Sequence, residues 1–137
     1  MKNHLESIKR YVKRHDLVVE FETERLIMFN FGPSQGKHAC LITIYTGEDS
    51  DIIAIALSHP VEIGPAKETD ILHALNRANF TLRNTGFASF ITPSPKLITV
   101  LSIFIVDKAG LEDDLIEGLM LERYGVWLVL IDTLFHA

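Results

Sequence analysis

The 137-residue chain has one cysteine, Cys40. An internal disulfide is therefore excluded, and a lone thiol suits a reducing compartment. Long apolar runs are also missing: Val126–Ile131 is among the longest, far short of the roughly 20 residues of a membrane span. The first residues, MKNHLESIKR, carry charge where a signal peptide would hold its apolar core, which argues against export by that route. Basic residues are in the minority, 13 Lys and Arg against 18 Asp and Glu, and the net charge of −5 argues against a general nucleic-acid binder. Repeats, low-complexity tracts and a dividing linker are absent too. A cytoplasmic protein with one domain, residues 1–137, is expected, since this length buries a core without a metal or disulfide staple.

What is present is an uneven charge and a regular alternation of elements. Residues 1–15 hold Lys2, Lys9, Arg10, Lys13 and Arg14 against Glu6 alone. Leu5, Ile8 and Val12 are spaced to face a core, so residues 2–14 read as an amphipathic helix with its lysines in water. Leu17–Thr23 and Arg25–Phe31 form a predicted hairpin, and the glycines and proline of 32–36 make a loop. His38–Thr46 and Asp51–Ser58 are the next strands, joined by Gly47-Glu48-Asp49-Ser50. A second helix is expected over 66–84, with Glu68 and Asp70 at its positive end and Gly86 beyond its finish. Phe87–Thr92 and Leu97–Val106 are the last strands, turned by Thr92-Pro93-Ser94-Pro95. Asp107 is a candidate N-cap for a third helix reaching about residue 134, although Val126–Ile131 alone would also fit a strand. The fold class is α+β: an antiparallel sheet with flanking helices, in the order α-β-β-β-β-α-β-β-α.

An antiparallel sheet with one wet face alternates apolar and polar residues. Ile52–Leu57 (IIAIAL) and Leu97–Val106 (LITVLSIFIV) do not; they are apolar on both sides. Both faces are expected to be covered, and three helices can cover one face and part of the other. Any remainder needs a partner, because a large exposed apolar patch marks an interface.

The search for chemistry yields none. Gly32-Pro33-Ser34-Gln35-Gly36-Lys37 is one residue short of a phosphate loop, has His38 where Ser or Thr must hold magnesium, and leads into a strand. His38 and Cys40 point to the same side of a strand, yet no second His or Cys pair completes a zinc site and no group is seen to activate the thiol. Asp70, His73 and Asn76 share a helix face, where Asp70 also suits the helix dipole. Glu48, Asp49 and Asp51 lack calcium-loop spacing. No catalytic, cofactor or metal residues are assigned.

Leu72–Asn79 (LHALNRAN), with Asn76 and Asn79 paired, followed by Gly86-Phe87 opening a strand, a hairpin and an amphipathic C-terminal helix, resembles the YbjN family. That family is similar in fold to the type III secretion chaperones. The resemblance implies a non-enzymatic, often dimeric module that offers helices and a sheet face to another polypeptide. It carries over no catalytic residue. The expected function is a protein-binding, chaperone-like homodimer, with Val126, Trp127, Leu130, Ile131 and Leu134 as the candidate interface. The alternatives are a small-molecule or enzymatic pocket between sheet and helices, drawing on His38, Cys40, His59 or His73, and docking of residues 1–15 on an acidic surface.

Overall fold

The computed structural model describes residues 4–47, 50–107 and 110–135. The elements follow the predicted order: α1 (His4–Arg14), β1 (Val19–Glu22), β2 (Leu26–Phe31), β3 (Cys40–Thr46), β4 (Ile52–Ser58), α2 (Glu68–Leu82), β5 (Phe87–Ile91), β6 (Ile98–Ile105) and α3 (Asp113–Leu134). A single 3-10 turn, Pro65–Lys67, leads into α2.

Helix α1 forms because Leu5, Ile8, Tyr11 and Val12 share one buried face. It ends in a Schellman closure: Asp16, at φ 53°, donates its N–H to the Lys13 carbonyl while Leu17 donates to Val12. Asp16 tolerates the left-handed region better than most side chains. Helix α2 starts and ends as expected, and Gly86 takes the positive φ foreseen beyond it. Helix α3 starts later than expected. Its N-cap is Glu112, not Asp107, whose carbonyl instead accepts the Gly110 N–H in a turn. Val126–Ile131 lies inside α3, so helix rather than strand is the outcome.

The six strands form one antiparallel sheet in the order β1-β2-β3-β4-β6-β5. Ile27, Phe29, Ile42, Ile44, Ile53, Ile55, Leu57 and Val100 point to one side and are buried there. All three helices lie on that side. Ile8 of α1 and Ile116 and Met120 of α3 meet Ile44, Ile53 and Ile55, while Phe31 of β2 stacks edge-on with Tyr124 of α3. Each such side chain contributes roughly 1.5–3 kcal/mol on full burial.

The opposite face departs from the expectation that helices would cover part of it. Among the described residues no helix packs there, and Phe21, Tyr45, Ile52, Phe90, Ile103 and Ile105 stand exposed.

The two sheet edges are closed in different ways. Strand β1 has four residues, carries two glutamates and has an irregular register between Val19 and Phe21; short, charged, bulged edges resist further strand pairing. At the other edge Asn79 of α2 lies against β5. Its Oδ1 accepts the Ser89 N–H at 2.7 Å, and its Nδ2 donates to the Ser89 carbonyl at 2.8 Å. A side-chain amide thus occupies the place of a neighbouring strand.

Candidate functional site

A groove of about 590 Å³ lies between α2 and α3. From α3 come Val126, Val129, Leu130, Thr133 and Leu134, an i, i+3, i+4, i+7, i+8 stripe along one face. From α2 come Asp70, Ala74, Arg77, Ala78, Thr81 and Leu82. The alanines keep the groove open, and Asp70 and Arg77, both exposed, add one charge of each sign to its lining. Thr133 donates its hydroxyl to the Val129 carbonyl at 2.8 Å, which leaves the α3 wall essentially apolar. Val129 on this wall is 70% exposed.

The five α3 residues singled out from the sequence divide between this groove and the core. Trp127 and Ile131 are fully buried (0% exposed) on the sheet side of α3, and Leu130 is buried at the groove floor. Val126 and Leu134 are half-buried groove walls. Trp127 faces the His59 ring at 6.4 Å between centroids, and Phe135 covers His59 from 5.5 Å. Trp127 Nε1 and His59 Nε2 are buried with no hydrogen-bond partner among the described residues.

The residues considered for a small-molecule or catalytic site do not converge. His38 hydrogen-bonds Asp132 at 2.7 Å, and Lys37 joins the same carboxylate at 3.0 Å. The two hydrogen bonds, from His38 first, lower the Asp132 pKa. Cys40 is 1% exposed in the core, its thiol 3.7 Å from the Leu41 carbonyl. Burial pushes its thiol well above the ordinary range, the reverse of what a nucleophile needs. His73 is exposed, and none of His38, Cys40, His59 and His73 lines the groove. Among the described residues no three His, Cys, Asp or Glu side chains are grouped to hold a metal. Glu48 and Asp49 lie outside the described residues.

The N-terminal basic segment is corrected at Lys9. Instead of facing water it is buried against the β1–β2 hairpin, where its ammonium donates to the Thr23 carbonyl at 2.7 Å and lies 3.3 Å from Glu22. Lys13 also reaches Glu22, at 3.5 Å, and Arg14 pairs with Asp113. Burial opposes ionisation of Glu22, but the hydrogen bond from Lys9 and the charges of Lys13 and Lys9 prevail and hold its pKa low.

Sequence reasoning overlooked three features. The groove alanines were not singled out as a site, and their i, i+4 repeat, Ala74 and Ala78, was the available signal. Arg123 is buried on α3, its Nε donating to Ser102 Oγ at 2.7 Å between the rings of Phe87 and Phe104, and burial lowers its pKa. Tyr124 donates its hydroxyl to the His38 carbonyl at 2.9 Å and lies over Gly32, whose φ is 77°.

No protein-family model matches the chain, and no curated protein matches its sequence. Solved structures do match. YbjN of E. coli, a proposed transcription regulator, superposes with a TM-score of 0.63 at 11% identity, over 93% of this chain and 87% of that one. An uncharacterised protein of Methanothermobacter thermautotrophicus gives 0.61 at 19% identity, over 96% of each chain. A chain of the HopA1–SchA chaperone–effector complex gives 0.57 at 13% identity, over 98% of this chain and 94% of that one. The chain therefore has the α+β fold shared by YbjN and the chaperones, as the sequence resemblance implied. No helix among the described residues is long and apolar enough to cross a membrane.

Proposed function

We propose that residues 1–137 work as one non-enzymatic, chaperone-like module in the cytoplasm, a homodimer that binds an apolar segment of another polypeptide in the α2–α3 groove. The observation that carries this reading is the groove itself. Its α3 wall offers side chains at helical spacing, Val126, Val129, Leu130 and Leu134, and such a stripe suits the apolar face of a bound segment. A chaperone–effector complex among the structures of similar fold supports the same reading. The lone buried thiol supports a reducing compartment.

A groove of about 590 Å³ also falls within the range of small-molecule pockets. The polypeptide reading is preferred because the polar groups on the groove are few and spread along it. A role in regulating transcription, proposed for YbjN, gains no support from a chain of net charge −5 whose Lys9, Lys13 and Arg14 are held by Glu22 and Asp113.

The test places a photo-crosslinking residue at Val129 and, as control, at exposed Glu117 on the same helix, in cells. Polypeptides captured from Val129 alone are identified, made as peptides and titrated against wild type and Ala74→Lys. Binding weakened more than about tenfold by Ala74→Lys supports the groove. Equal capture from both positions, or unchanged binding, refutes it.

A further inference from the structure

The open face of the sheet carries a second surface. Strands β2 to β6 contain no Asp, Glu, Lys or Arg on either side. An antiparallel sheet that faces water normally alternates with polar residues. Here the outward positions of β4 are Ile52, Ala54, Ala56 and Ser58, and those of β6 are Thr99, Leu101, Ile103 and Ile105. Ile52, Ile103 and Ile105 are 50%, 61% and 68% exposed. We infer that this face is the contact between two copies of the chain, packed sheet on sheet; the inference rests on the homodimer proposed above and assigns its surface.

Three observations select a second copy as the occupant. The first is relief. Register pairs Ala54 with Ile103 and Ala56 with Leu101, so a furrow of alanines along β4 runs beside a ridge of large side chains along β6. Under a two-fold axis lying between the two sheets and running roughly along the strands, between β4 and β6, the ridge of each copy can enter the furrow of the other. An isologous contact requires that self-complementarity. The second is charge. Each copy carries −5, and two such molecules repel wherever charged surfaces meet. The uncharged strands let them meet without opposing like charges.

The third is area. Five strands about 4.8 Å apart and about six residues long, at about 3.4 Å per residue, span roughly 24 by 20 Å. Two such faces remove at most about 1,000 Å² together, since Ser58 and Thr99 at one end are already buried, and that is the lower limit of a specific interface. The dimer is therefore expected to form with a dissociation constant in the micromolar range and to separate on dilution. Strand addition at an edge is not the route, since β1 is short and charged and Asn79 occupies β5 at Ser89. Sheets packed in this way lie about 10 Å apart with strands near −30°.

The experiment is light scattering of the full chain at about 100 μM and after hundredfold dilution. Wild type, Ile103→Glu, Ala54→Phe and, on the groove, Val129→Lys are compared, with circular dichroism confirming that each is folded. The expected result is a mass of twice 15.5 kDa for wild type and Val129→Lys at the higher concentration. Ile103→Glu and Ala54→Phe are expected to give 15.5 kDa. Ala54→Phe separates a fitted contact from general stickiness, because it adds apolar surface while filling the furrow. A monomeric wild type overturns both the homodimer and this interface. A dimer that survives Ile103→Glu, or that is strengthened by Ala54→Phe, overturns the interface and leaves the homodimer standing. A dimer lost only with Val129→Lys moves the contact to α3 and also overturns it.

Discussion

Replacing Asn79 with alanine isolates the role of α2 in closing the sheet. The Asn79 amide makes three bonds to one residue: Oδ1 accepts the Ser89 N–H at 2.7 Å and the Ser89 hydroxyl at 2.8 Å, and Nδ2 donates to the Ser89 carbonyl at 2.8 Å. Ser89 is buried. Alanine leaves its N–H and C=O without partners, and each orphaned buried group costs about 1–3 kcal/mol. The hydroxyl keeps a second acceptor, the Leu75 carbonyl at 3.4 Å. Asn79 is half-buried, so water can reach part of the vacated space, and the loss is expected at about 2–4 kcal/mol. For a chain of this length that is a fall of roughly 6–16 °C in Tm. Asn76→Ala, one turn earlier and exposed, should stay within about 0.5 kcal/mol of wild type. Urea denaturation of both variants gives the energies, and hydrogen exchange at the Ser89 amide reports the bond itself. Asn79→Asp adds a signed control. Its carboxylate would face the Ser89 carbonyl, so the variant's folded pKa is raised and its deficit should shrink as pH falls towards about 4. A loss below about 0.5 kcal/mol for Asn79→Ala, with the Ser89 amide still protected, would refute the reasoning.

Gly32→Ala should cost about 2–4 kcal/mol by urea denaturation, because a Cβ at φ 77° is strained and meets the Tyr124 ring, with Cζ at 2.8 Å. Tyr124→Ala in the same background should remove the collision part, and an additive double variant would contradict it. Lys9→Met should lose about 1–3 kcal/mol at pH 7, while Arg10→Gln stays near zero. The lowered Glu22 pKa contributes stability above the ordinary Glu value of about 4.3 that is lost as pH falls through the folded value. The Lys9→Met deficit should therefore narrow below about pH 4, and a deficit independent of pH would break the link. Cys40 in the native chain should react with iodoacetamide at pH 8 at least about a thousandfold more slowly than in the unfolded chain. Rapid native labelling would return the thiol to consideration as a nucleophile.

The order of elements was legible because the signals that set it are local. The spacing of Leu5, Ile8 and Val12, the turn residues of 32–36 and the glycine at 86 each act within a few residues. The lack of a third ligand at spacing beside His38 and Cys40 was legible too, and the fold gives His38 to Asp132 and buries the thiol. The start of α3 was misjudged because Asp107 has the chemistry of a cap but lies in a turn that only the docking of Glu112 onward resolves. Lys9 was misjudged for a similar reason. Its position on the helix is a sequence property, whereas the hairpin carbonyl that receives its ammonium comes from residue 23 across the fold.

The sequence by itself determined that both faces of β4 and β6 are apolar, since alternation along a strand is read from neighbouring residues. Only the tertiary structure decided which face the helices take. A helix stripe can bury against either side of a sheet, and the choice depends on the connections and on all three helices packing together. With α1, α2 and α3 on one side, Trp127 and Ile131 became core, Val126 and Leu134 became the walls of a groove, and Ile103 and Ile105 were left facing outward. That division is a property of the packing, because the same apolar side chain reads identically in the sequence whether it is core, groove or open face.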